Sequence, residues 1–180
     1  MARYLLISGS PRPGNSEFIL NNIFAGINSS EKELLLLRDK KISHCQGCLY
    51  CEEHQACSVR DDMQRIYDRL QAADIIVFAT PNYYDNVPGI AKDFIDRLNP
   101  FYDTDAIRGK KILNIVVGGA AAEKSQRMID GPLSYFEQLQ GLDVINSYYF
   151  EGLKIGAVEN NKDNILIIGK IIRELNSLDV

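Results

Sequence analysis

Cysteine is absent from almost all of this chain. The four that occur, Cys45, Cys48, Cys51 and Cys57, fall in one short stretch, so no disulfide can tie distant segments together. Long apolar runs are also missing, and nothing approaches the roughly 20 residues that a membrane-spanning helix needs. The opening MARYLLISGS has a short apolar run with no stop-transfer length behind it, so it reads as a first strand and not a signal peptide. The expectation is a cytoplasmic protein without a membrane partner, in which clustered thiols are ligands or redox groups and not structural disulfides. A strong charge of either sign is lacking too: 20 Lys and Arg stand against 24 Asp and Glu, a net charge of −4. The basic residues are scattered, which argues against nucleic acid. The mild acidity argues against a small shuttle that docks by electrostatics. No Gly-Lys-Ser/Thr completes a Walker loop, and no G-x-G-x-x-G opens a dinucleotide site. There is no repeat, low-complexity tract or linker, so residues 1–180 read as one domain, long enough for one good core.

What is present is an alternation of strand and helix patterns. RYLLIS (3–8), ELLLL (33–37), DIIVFA (74–79), ILNIVV (112–117) and residues 144–150 are compact apolar runs suited to buried strands. Between them, apolar residues recur at helical spacing: Phe18, Ile19, Ile23 and Ile27; Met63, Ile66, Tyr67 and Leu70 behind a capping Asp61 or Asp62; Ile90, Phe94, Ile95 and Leu98; and Ile165, Ile168, Ile172 and Leu175. Pro132 suits a first helical turn. Five strands interleaved with helices imply an α/β fold, a doubly wound five-stranded parallel sheet in order 2-1-3-4-5 with helices on both faces. Its ligand crevice would open at the C-terminal ends of strands one and three.

The loops at that crevice carry chemistry. Gly9 to Ser16 joins strand one to helix one: its glycines permit a tight turn, and Ser10, Asn15 and Ser16 offer side-chain donors. The helix N-terminus adds free N–H groups, and Arg12 can supply a forked counter-charge. This is an anion cradle sized for a phosphate monoester, or else a polar turn with a capping serine. Pro81-Asn82-Tyr83-Tyr84, followed by Asp85-Asn86-Val87, is rich in aromatics and amides. Tyr83 and Tyr84 can wall a flavin ring, or simply pack the loop on the sheet. Gly118 and Gly119 let main chain approach from the far side.

GSPRPGNS, PNYYDNVP and KDFIDR together resemble the flavodoxin-like NAD(P)H-dependent FMN reductases. With CQGCLYCEEHQACSVRDDM, the chain is similar to their iron–sulfur flavoprotein branch over roughly residues 2 to 120. The resemblance implies FMN as cofactor, its phosphate held by Ser10, Arg12, Asn15 and Ser16. Its ring would be held by Pro81, Asn82, Tyr83 and Tyr84 with Gly118 and Gly119. A homodimer or homotetramer is implied as well. Ala120-Ala121-Ala122 is less glycine-rich than the branch suggests.

The cysteine loop, residues 43–60, has the spacing C-x2-C-x2-C-x5-C. Three such thiols can wrap one face of a [4Fe-4S] cubane, with Cys57 closing it. In the bacterial ferredoxin pattern the last cysteine follows three residues on, precedes proline and serves another cluster. Structural zinc sites usually pair two separated knuckles. Four readings stay open: an intact cluster on Cys45, Cys48, Cys51 and Cys57; an empty inherited loop; zinc; and a Cys45–Cys48 redox disulfide. Asp61 and Asp62 read as charges at a helix start, and Lys92, Asp96 and Arg97 as an exposed or interface ion-pair set.

The expected activity is an FMN-dependent oxidoreductase with no catalytic side chain. It takes electrons from NAD(P)H, or a reduced carrier, to a quinone, nitro compound, flavin or protein acceptor. The rivals are a non-enzymatic electron-transfer protein and a cysteine-based redox or metal sensor.

Overall fold

The computed structural model describes residues 2–119 and 122–178. Five strands form one parallel sheet: β1 (Tyr4–Ser8), β2 (Lys32–Leu36), β3 (Ile75–Pro81), β4 (Lys111–Gly118) and β5 (Asp143–Glu151), in the order β2-β1-β3-β4-β5. The expected order is therefore present. The three central strands are apolar in nearly every position because helices cover both of their sides, which removes the alternation of a half-exposed sheet. The edge strand β5 lacks cover on one flank and is mostly half-exposed.

One face of the sheet is covered by α1 (Asn15–Gly26) and α7 (Lys162–Asn176), through Ile19, Leu20, Ile23, Ile168, Ile171 and Leu175. The Asn161 side chain caps α7 by accepting from the Asp163 and Asn164 N–H groups. The other face is covered by α3 (Met63–Ala72), α4 (Gly89–Asp96) and a helical run from α5 (Ala122–Met128) to α6 (Ser134–Gln140). Pro132 sits inside that run, in a π-helical turn over Ile129–Leu133, and not in a first helical turn. A prolyl ring blocks the regular i→i−4 bond, and the wider turn absorbs it. A further short helix, α2 (Tyr50–His54), lies within the cysteine loop, where no helix was expected. No helix among the described residues is long and apolar enough to cross a membrane.

One buried charge interrupts the second face. Glu137 on α6 is 4% exposed and accepts from the Asn114 amide, which is fully buried in β4. Burial raises its pKa from 4.5 to about 6, against the lowering effect of the Asn114 hydrogen bond. The folded protein therefore keeps a proton that the unfolded chain releases between 4.5 and about 6. Stability from this group is full below 4.5 and is lost as pH rises through about 6, a span worth about 2 kcal/mol. Glu137→Gln should accordingly raise the melting temperature at pH 7.5 and leave it unchanged near pH 4.5. Equal shifts at both pH values would refute the assignment.

Candidate functional site

At the C-terminal edge of the sheet the chain forms an open cleft of about 490 Å³, its mouth included. Three of the expected loops line it together: Ser10, Arg12, Asn15 and Ser16 from the first; Pro81, Asn82 and Tyr83 from the second; Gly118 and Gly119 from the third. Crossover topology carries the loops after β1, β3 and β4 to this edge because parallel strands all end there. Backbone bonds lock the loops to the sheet: Gly9 N–H donates to Ala79 O at 2.8 Å, and Asn82 N–H to Val117 O at 2.8 Å.

The first loop leads into the N-terminus of α1, which has no side-chain cap and whose first residues line the cleft. Ser10 Oγ donates to Arg12 O at 2.7 Å and so tightens the turn. Arg12 is exposed and makes no ion pair among the described residues, leaving its guanidinium available to an anion. The Asn15 side chain is differently employed. Both amide hydrogens donate to the segment after β5, to Gly152 O at 2.9 Å and Lys154 O at 2.8 Å. What Asn15 offers the cleft is its backbone N–H, and its carboxamide fixes a fourth wall.

That fourth wall, Gly152 and Leu153, went unnoticed in the sequence. Position after strand five was the only signal, since the chain there must also emerge at the C-terminal edge. Gly118 matters for space alone: a Cβ there would lie 2.9 Å from Tyr149 Oη and 3.3 Å from Asn82 Cβ.

Tyr83 and Tyr84 part company. Tyr83 pairs with Asn86 through bonds of 2.8 and 3.1 Å, closing a two-residue turn with Tyr84 at φ +53° and Asp85 at φ +56°. The turn throws the Tyr84 ring outward, fully exposed and off the cleft lining. Of the two tyrosines expected at the ring, only Tyr83 lines the cleft. A tyrosine in left-handed geometry costs about 1–2 kcal/mol, strain of the kind stored at functional sites.

The loops after β1, β3 and β4 and the segment after β5 therefore share one cleft. Residues 2–136 match the family described as NADPH-dependent FMN reductase. This chain belongs to that family. FMN is thus its cofactor and a nicotinamide nucleotide its reductant. Among its relatives is an "Iron-sulfur flavoprotein" of Archaeoglobus fulgidus, 35% identical over 163 residues, covering 88% of this chain and 83% of the relative. Another is "Iron-sulfur flavoprotein MJ1083" of Methanocaldococcus jannaschii, 32% identical, covering 81% of this chain and 74% of the relative. These relatives put the FMN reductase in the iron–sulfur flavoprotein branch. Its fold is also that of the NAD(P)H:quinone oxidoreductase from Methanothermobacter marburgensis (TM-score 0.75, 16% identity, 99% of each chain). Ala120 and Ala121, part of the glycine-poor stretch noted above, lie outside the described residues.

The four cysteines of this FMN reductase line a second, smaller cavity, walled also by Arg97, Asn99 and Pro100. All four are free thiols; Cys45 and Cys48 are exposed, Cys51 and Cys57 half-buried. Their loop turns sharply through left-handed Gly47, Leu49 and Gln55. Ser58 Oγ lies 3.2 Å from Cys48 Sγ, and with the Tyr50 N–H it lowers that thiol's pKa. Asn99 Nδ2 donates to Cys51 Sγ at 2.9 Å. Among the described residues no three His, Cys, Asp or Glu groups converge on one point as a single metal ion would require. The thiols ring a cavity instead.

The set Lys92, Asp96 and Arg97 also divides. Lys92 and Asp96 form an exposed pair, as expected. Arg97 does not: its side chain is fully buried and paired with Asp61 at 2.8 Å. Burial opposes the Asp61 charge, but the Arg97 guanidinium and the Ser43 and Met63 N–H groups hold its carboxyl below the usual range. Asp61 does bond the first turn of α3, through Met63 N–H at 3.0 Å. Asp62 instead accepts from Lys41 N–H at 2.7 Å.

Proposed function

We propose that this FMN reductase binds FMN in the four-walled cleft, with the phosphate in the loop of Ser10, Arg12 and Ser16 and the ring between Asn82, Tyr83, Gly118 and Gly119. The observation that carries this reading is the meeting of the loops after β1, β3 and β4 in one cleft. The donor set suits a phosphate monoester: a helix N-terminus, the Ser16 hydroxyl and one unpaired guanidinium, with Ser10 shaping the turn. The two glycines leave a slot that a side chain would fill. Bound FMN supplies the chemistry, accepting hydride from NAD(P)H and handing electrons to an acceptor such as a quinone, nitro compound, flavin or protein carrier. The chain's own part is placement. Arg12 and the α1 N-terminus fix the phosphate, the Asn82–Tyr83 backbone borders the ring, and no side-chain acid or base is called for.

The four cysteines are read as ligands of a [4Fe-4S] cluster. Thiols that ring a cavity match several irons spaced apart better than one zinc ion. The two cavities share no lining residue, which supports reading the cysteine cavity as a separate centre in this chain. Tyr84, Leu153 and Ile155, all strongly exposed near the cleft mouth, suit a face shared with another subunit in a homodimer or homotetramer.

The test is an anaerobic visible spectrum of the purified protein with assays for FMN, iron, sulfide and zinc. One FMN per chain, bleached on mixing with NADPH or NADH, and about four irons and four sulfides are expected. Colourless protein without extractable FMN would sink the flavin assignment. Zinc, or no metal after anaerobic reconstitution, would sink the cluster.

A further inference from the structure

We propose that Arg97 is the positioning residue of the four-cysteine cavity: it closes the neck of the 43–60 loop, so that the loop holds its shape before any cluster is loaded. The inference rests on reading the cysteines as cluster ligands. Its physical basis is that the other ties are few: Lys41 and Asp62 exchange two bonds just outside the loop, and single contacts run from His44 to Asp93 and from Asn99 to Cys51. None of residues 43–60 is buried, so apolar burial does little for it. Its helix α2 has five residues, far below the length at which a helix is stable alone.

The two ends of the loop meet at one guanidinium. Arg97 Nη1 donates to Ser43 O at 2.8 Å, where the loop leaves the body. Nη2 donates to Val59 O at 3.2 Å, where it returns. The same fork holds both oxygens of Asp61, at 2.8 and 3.1 Å. Asp61 in turn accepts from Ser43 N–H at 2.9 Å and Met63 N–H at 3.0 Å. Ser43 is thus gripped by its carbonyl and its amide at once. The grip is anchored, since Arg97 follows α4 directly and its carbonyl accepts from the buried Tyr67 hydroxyl. Asn99, two residues on, reaches Cys51 Sγ.

A planar fork with five donors can serve three acceptors in different directions, whereas an ammonium cannot reproduce that span. A thiol-rich loop that is open without metal must be ordered by metal binding itself. Here the closure is made in advance by a buried pair, and the loop-closing entropy is met at folding.

The test uses metal-free, reduced, FMN-loaded protein. Amide hydrogen exchange over 43–60 is compared in wild type, Arg97→Lys and Asp61→Asn, followed by anaerobic loading with ferrous iron and sulfide, read from the visible spectrum. In wild type the loop amides should be protected without metal. In both variants exchange in the loop should accelerate roughly tenfold or more while the sheet and the flavin content stay unchanged. Loading should be slower. Unprotected loop amides in metal-free wild type, or variants that match wild type, would overturn the proposal. So would protection lost equally across the sheet, which marks Arg97 as a general core residue. Should wild type take up no iron, the cluster reading falls, while the exchange comparison still decides whether Arg97 closes the neck.

Discussion

Replacing Gly118 by valine should leave a folded protein that no longer retains FMN. Gly118 ends β4 with strand geometry, so the backbone accepts a β-branched residue there. The difficulty is space. The Cβ alone would stand 2.9 Å from Tyr149 Oη and 3.3 Å from Asn82 Cβ. Asn82 in particular cannot yield, because it is tied by its N–H to Val117 O on the same strand. The two further methyl groups have only the cleft to occupy. Overpacking of this kind costs about 1–3 kcal/mol in the fold. Loss of the slot should weaken FMN binding about 100-fold or more, close to 3 kcal/mol. Fluorescence titration of apoprotein with FMN measures it, with a melting curve as the control for folding. A yellow variant with wild-type affinity would mean that the ring lies elsewhere.

The second large effect is on stability. Phe78→Ala should remove about 3–5 kcal/mol from a total that for such proteins is typically 5–15. Phe78 sits mid-strand in β3, 1% exposed, with its ring stacked on Phe94 at 6.0 Å between centroids. It also backs the loop after β1, since its Cζ would be 3.4 Å from a Cβ at Gly9. Around it are β-strands that are hydrogen-bonded on both sides and cannot collapse into the space. Urea unfolding monitored by circular dichroism gives the number. A loss below about 1 kcal/mol would show that the site repacks and is not rigid.

The fold was highly legible because its signals are local and redundant. Central strands read as unbroken apolar runs, and helices such as α3 and α7 show one apolar face at regular spacing. The crevice loops were legible for the same reason, as breaks in those patterns that topology sends to one edge. The sequence is least legible where a side chain's direction depends on a distant contact. Tyr83 and Tyr84 are adjacent and identical, and a two-residue turn separates their fates. Asn15 carries a donor at a helix start, but its partners lie about 140 residues away in sequence, beyond β5. Arg97 sits beside exposed Lys92 and Asp96 at spacing that suits a surface ion-pair set. Helical periodicity cannot tell that its own face turns inward to meet Asp61 and the ends of the cysteine loop.

The cysteines mark the same boundary. By itself the sequence determined that four thiols occur at cluster-like spacing, on a doubly wound α/β frame whose crevice loops carry hydroxyls, amides, an arginine and aromatics. Those properties follow from residue type and short-range order, which burial and crossover topology turn into a fold. Only the tertiary structure decided which donors face the cleft, that segment 152–153 supplies a fourth wall, and that one buried guanidinium joins the two ends of the thiol loop. The physical reason is that hydrogen-bond geometry and burial depend on distances between residues far apart in sequence, and these exist only once the sheet has assembled.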